Sequence, residues 1–228
     1  MTLKLNGSSS GYTAIDAPAA AGSNTLVLPA NNGSAGQILQ TDGSGNLTWV
    51  DKPTATGWTK IATNTYSDVA QIDIEDTAAF DGTYDYIRIN FFNVRPANDS
   101  QMLLWRIKQG GSYVTSSDYK SHSEIIYANT DTVTHERADN LTAGEWTTGT
   151  IGNYSTDSFN AYWEFADPTQ TSYHPAFSWR GWGQNNTGNS MLVNGSGICK
   201  ETGAVQGIRV YCVSGNISAK VTTYGLTK

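Results

Sequence analysis

Charge is scarce in this chain. Only 15% of its 228 residues are Asp, Glu, Lys or Arg, against roughly a quarter in ordinary globular domains. Ser, Thr, Asn, Gln and 23 glycines fill the deficit. That composition suits β-rich particle-surface or extracellular proteins better than cytoplasmic enzymes. Positive charge is scarcer still: 14 Lys and Arg against 20 Asp and Glu give a formal net charge of −6, with no Lys/Arg cluster. Nucleic acids and anionic membranes recruit proteins through such clusters, so neither is expected as a partner. No apolar run approaches the roughly 20 residues of a membrane span, so no membrane insertion is expected. Met1–Gly7 lacks the apolar stretch of a signal peptide, which predicts no export by that route.

Cysteine is limited to Cys199 and Cys212. A hairpin turning at Glu201-Thr202-Gly203 would set Cys199 opposite Gln206 or Gly207, short of Cys212. Two free, half-buried thiols are therefore expected. The histidines, His122, His135 and His174, are scattered and read as exposed loop residues. They make no zinc signature with two cysteines, so no metal and no cofactor is expected. Helical periodicity is also missing over residues 1–35.

What the chain does have is short alternating segments broken by polar turns. Gly36–Val50, GQILQTDGSGNLTWV, reads as a β-hairpin, with Thr41–Asn46 turning the chain between Gln37-Ile38-Leu39 and Leu47-Thr48-Trp49-Val50. A hairpin this small needs a partner surface. Upstream, Thr2–Leu5, Tyr12–Ile15 and Thr25–Leu28 are brief extended pieces, too thin to enclose a core. They fit either a low-complexity linker or a threaded oligomeric stalk. The recurring Leu, Ile, Val, Tyr and Trp favour the stalk, in which chains supply each other's missing core. Ile38, Leu39, Leu47 and Trp49 are the candidate interface residues between chains. Asp51–Gly57, with Pro53 among small polar residues, marks a boundary, giving an N-terminal module over 1–55 and a second domain over 56–228.

The run GYTAIDAPAAAGSNTLVLPANNGSAGQILQTDGSGNLTWV, Gly11 to Val50, resembles a module of tail fibres and related structural proteins of marine bacteriophages, especially cyanophages. In that module an "aPaaag-nTltLP" segment precedes "G-Q-x-L-x-t-d-G-s-G-x-L-x-W". The resemblance covers about a sixth of the chain. It implies a trimeric fibre or stalk attached through this module to other virion proteins, with synthesis in the host cytoplasm and residence on the virion. The last segment, Gly215–Lys228, resembles the terminal strand of C-terminal domains in the same phage proteins. These commonly end close to "G-x-i-x-x-x-x-t-l-Y-G-l-x". Tyr224-Gly225-Leu226 stands in that place, and Thr223 departs from the pattern where an apolar residue is usual.

Residues 58–228 read as an all-β domain. Alternation predicts strands at Val69–Ile74, Tyr86–Val94, Met102–Ile107, Ile125–Tyr127, Gly144–Ile151, Asn160–Phe165, Ala176–Trp182, Met191–Cys199, Val205–Val213 and Ala219–Leu226. A turn of helix is expected over Glu75–Phe80. Many short strands with long connections predict a jelly-roll-like β-sandwich.

Chemistry is harder to find. Glycoside hydrolysis needs two carboxylates across a cleft. Glu124, Glu136, Asp139, Glu145, Glu164 and Asp167 are available, but none sits in a motif, and they read as solvated side chains on polar loops. The histidines accompany no nucleophile elbow, and Asn194-Gly-Ser-Gly reads as a turn. No enzyme is expected. The stretch Asp167–Asn189 is the most suggestive. Tyr173, His174, Arg180 and Trp182, followed by Gln184, Asn185 and Asn186, combine stacking faces with amide and guanidinium donors, the parts of a sugar site. Phe177 and Trp179 are expected to alternate into the core. Trp182, on the opposite face, stays open between a binding role and packing at a trimer axis. The expected function is a trimeric fibre whose C-terminal domain recognises a host-surface glycan or protein. The alternatives are a capsid or tail decoration protein that stabilises the particle and, remotely, a polysaccharide-degrading enzyme.

Overall fold

Alternation at period two is what builds most strands of the second unit, because such a strand buries one face and leaves the other in water. The computed structural model describes residues 3–20, 22–52, 57–130, 132–147, 150–154 and 157–226. The chain falls into two compact units, Met1–Ala55 and Thr56–Lys228. Of the expected boundary segment, Pro53–Thr56 lies outside the described residues.

The first unit holds two antiparallel hairpins. Strand β1 (Leu3–Asn6) pairs with β2 (Tyr12–Ile15), and β3 (Gln37–Thr41) pairs with β4 (Leu47–Asp51). Between them, Val27 runs along the second hairpin, donating to the Gly45 carbonyl and accepting from Leu47, both at 2.8 Å. Trp49 Nε1 donates to the Asn31 carbonyl at 2.9 Å. The turn is held by Asp42, whose carboxylate accepts from Ser44 N, Asn46 N and Asn46 Nδ2. Those bonds hold the Asp42 carboxyl below its ordinary range. None of the described residues of this unit is buried.

The second unit begins with β5 (Trp58–Val69), β6 (Ile72–Ile74), α1 (Thr77–Phe80), β7 (Tyr86–Pro96) and β8 (Leu103–Gln109). It continues through β9 (Ser112–Tyr113), β10 (Tyr119–Tyr127), β11 (Thr132–Leu141), β12 (Gly144–Glu145) and β13 (Phe159–Ala166). It closes with β14 (Ala176–Gln184), β15 (Ser190–Cys199), β16 (Gly207–Cys212) and β17 (Ile217–Leu226). The large sheet runs β11-β10-β15-β14-β13-β7-β17-β5, and the small one runs β12-β8-β16-β6 with β9 attached to β8. Every pairing between named strands is antiparallel.

Setting aside β9 and the hairpins β10–β11 and β14–β15 leaves eight strands. Their order is first-eighth-third-sixth in one sheet and second-seventh-fourth-fifth in the other. That is the jelly-roll connection, so the expected sandwich is the observed fold. The two hairpins are insertions, and they widen the large sheet beyond β13.

The core between the sheets is dominated by indoles. Trp163 stacks on Trp179 at 5.1 Å between centroids, and meets Trp105 and Trp146 edge-on at 5.3 and 5.2 Å. The Nε1 atoms of these four tryptophans have no hydrogen-bond acceptor among the described residues. Edge-to-face contact, which turns the positive rim of one ring to the face of the next, is the compensation available there. The rings also explain a sequence feature. Asn194-Gly-Ser-Gly is not a turn but the middle of β15, because a Cβ on Gly195 would strike Trp179 and one on Gly197 would strike Trp105. In β17, Gly225 lies in the same way under the Tyr84 ring. The unusual Thr223 is buried, and its hydroxyl donates 2.8 Å to Asp76 at the start of α1.

Other expectations change in detail. Val69–Ile74 is not one strand, since the chain leaves the large sheet at Val69 and enters the small one at Ile72. Among the described residues of the expected Gly144–Ile151 strand, Gly144–Glu145 is ladder and Ile151 forms isolated bridges to Gln101 and Asn185, while residues 148 and 149 lie outside the described residues. Both cysteines are free but fully buried, not half-buried. They lie in different sheets, because residues 200–206 cross between sheets and form no hairpin. Among the described residues no helix is long and apolar enough to cross a membrane.

Candidate functional site

The outer face of the large sheet carries the residues that alternation turns away from the core. On β14, Phe177 and Trp179 point inward, as expected, and Ser178, Arg180 and Trp182 point out. Cross-strand register extends these positions into rows over the inserted strands. One row reads Asp139, Lys120, Ile198, Ala176. The next reads Arg137, His122, Ser196, Ser178. A third reads His135, Glu124, Asn194, Arg180. A fourth is apolar: Val133, Ile126, Leu192, Trp182. Successive rows lie about 7 Å apart along the strands.

The first two rows enclose a shallow basin of about 460 Å³, lined by Lys120, His122, Arg137, Asp139, Ala176 and Ser196 among others. Its floor combines the small residues Ala176 and Ser196 with Ile198. Its rim is charged. Asp139 accepts from Lys120 Nζ at 3.1 Å and lies 3.8 Å from Lys200 Nζ, which holds its carboxyl below the ordinary range. Arg137 and Arg180 pair with no carboxylate among the described residues. His122 and His135 therefore sit on strands, not loops, with ring centroids 6.2 Å apart. His135 Nε2 lies 3.6 Å from Glu124.

The residues singled out in Asp167–Asn189 do not converge. Tyr173 and His174 precede β14, Gln184 ends it and Asn185 and Asn186 follow, so about 26 Å of strand separates the two groups. Tyr173 is 58% exposed, and its hydroxyl donates 3.4 Å to Asp167. Asn185 is occupied with its own loop: its side-chain Oδ1 accepts from Thr187 N, Thr187 Oγ1 and Asn189 N. Asn186 accepts from Thr150 Oγ1 and donates to Ser100 Oγ. These two amides tie loops together. Trp182 is 47% exposed beside Tyr162, with ring centroids 6.5 Å apart. Arg180 and Trp182 thus remain as outward candidates, and Lys120, His122, Arg137 and Ser196 join them through register that no local motif announces.

Further along the same face, Arg88 lies over the rings of Trp58 at 5.1 Å and Tyr162 at 4.5 Å. Its Nε donates 2.7 Å to Glu164. The remaining carboxylates are on strands more often than loops: Glu124 on β10, Glu136 and Asp139 on β11, Glu145 on β12. Glu145 has its carboxyl pushed up by burial and then by the charge of Glu136. Among the described residues no group of three or more His, Cys, Asp and Glu is placed to hold a metal ion.

In the first unit, the hairpin register sets Leu39 opposite Trp49 and Thr41 opposite Leu47, all on one face. Ile38 pairs with Val50 on the other face. The four expected interface residues are therefore split between two faces. Ile38 and Leu39 are 43% and 44% exposed.

No protein-family model matches this chain, and a search of curated proteins finds no significant match.

Proposed function

We propose that this is a virion fibre-type protein, with an N-terminal unit that assembles with two further copies of itself and attaches to other virion proteins. The C-terminal jelly roll is then a non-enzymatic head that meets a host-surface glycan or protein. One observation carries this reading: the two units have opposite needs. Leu3, Leu5, Ile15, Leu26 and Leu28 are each more than half exposed in the first unit. Exposed apolar side chains on hairpins too small to stand alone call for partner chains. The second unit buries its own core and needs none. An assembly module followed by a self-sufficient head is the division of labour a fibre uses, and three heads on one stalk bind with avidity that a single weak site lacks.

The inserted hairpins favour a head with a ligand over one that only decorates the particle. They are not required by the jelly roll, and they carry the basin. Two of the candidate carboxylates are engaged in structural pairs, Glu164 with Arg88 and Asp139 with Lys120, which fits a protein that binds without cleaving. Cryo-electron microscopy of the particle tests the proposal. Copies at fibre tips are expected; copies spread over the capsid lattice would overturn the receptor-binding role in favour of decoration.

A further inference from the structure

We propose that the basin on the inserted strands is the head's ligand site and that its ligand is an acidic sugar, a pyranose bearing a carboxylate or a sulfate. The inference rests on the reading of the second unit as a binding head and names what it binds. It starts from where the basin lies. Every residue lining it comes from β10, β11, β14 or β15, the four strands added to the eight of the jelly roll. The eight-strand connection is complete without them; their inner face joins the core, and their outer face is free to serve another purpose.

The chemistry of the rim follows. Lys120, Lys200 and Arg137 surround one carboxylate, Asp139, leaving positive charge in excess on a chain whose formal sum is −6. Arg137 is the one of the three that pairs with no carboxylate among the described residues. A guanidinium with no carboxylate partner presents a planar fork that matches a carboxylate or sulfate edge. Lys120 is oriented by Asp139 and adds charge from the next row. Arg180, which also pairs with no carboxylate among the described residues, stands two rows from Lys120 on the same face and extends the acid-recognising surface.

The rest of the basin is unsuited to a bare inorganic anion. Ala176 and Ile198 give it apolar floor on which the C–H face of a ring can lie, and the Ser196 hydroxyl stands between them and His122. Asp139 in the basin, and Glu124 one row beyond it, are acceptors for sugar hydroxyls. A site that mixes cations, acceptors and small flat floor fits a ligand with both an acid group and hydroxyls. At about 460 Å³ it has the size of a small-molecule pocket.

The test is calorimetric titration of the full chain with three probes: an oligouronate, a sulfated dextran oligomer and neutral dextran. Binding of either acidic probe, with none of the neutral one, is expected, and the stronger of the two identifies the acid group. Arg137→Gln should weaken that binding at least tenfold. Ser196→Tyr, which fills the basin from an exposed position, should abolish it. Lys220→Gln removes the same charge from an exposed site on β17, outside the basin, and should change affinity less than twofold. No binding of either acidic probe, or equal losses for Arg137→Gln and Lys220→Gln, would overturn the proposal. Either result would leave the head reading standing, because the location of the protein on the particle tests that separately.

Discussion

Burial pushes the Cys199 thiol up to about 11 and the Cys212 thiol to about 12. Both are therefore protonated and inaccessible at neutral pH, which makes them inert. A disulfide reagent such as DTNB at pH 8 should modify neither cysteine in the native protein and both in denaturant; fast reaction of one native thiol would contradict the packing. Trp163 sits at the centre of the indole cluster, fully buried. Its replacement by Ala should cost about 3–5 kcal/mol in denaturant unfolding, the range for a large buried aromatic. Glu145 tests the sign of an electrostatic effect. Its carboxyl is raised by burial and by Glu136, so the folded protein holds that proton more tightly than the unfolded chain. The charged form therefore costs stability at neutral pH, and the cost fades as pH falls through the folded-state pKa. Glu145→Gln should raise Tm more at pH 7 than at pH 4, and an equal gain at both would show that charge is not the cause.

At the scale of elements, the legible strands were those that bury aromatic or branched residues at every second position. β7, β8, β13, β14 and β16 are of this kind, and their inward residues are the core. β5 and β11 escaped because both are edges of the large sheet. The inward positions of β11 include Glu136 and Ala138, so alternation of polarity has little to show there. β10 was seen only at its end, since Ser121 and Ser123 occupy buried positions where apolar residues would have marked the strand. The glycines of β15 read as a turn because their reason, the Trp105 and Trp179 rings, comes from other strands. Gly197→Val would have to displace the Trp105 ring and should destabilise the head by about 1–3 kcal/mol, as overpacking does. The candidate site divides in the same way. Arg180 and Trp182 could be placed outward from β14 alone. The basin could not, because it exists only when positions near 120, 137, 176 and 196 come into register across four strands.

For the whole molecule, we propose that the exposed N-terminal unit assembles the chain while the jelly roll folds by itself and is displayed. The face bearing Leu39, Leu47 and Trp49 should then carry assembly and contribute little to the head. Light scattering of the full chain tests this most directly. Three times the 24.6 kDa chain mass is expected for the native protein. A Leu39→Asp, Trp49→Ser variant should fall to the mass of one chain while the head keeps its unfolding transition. A single-chain mass for the unaltered protein would overturn assembly through the N-terminal unit.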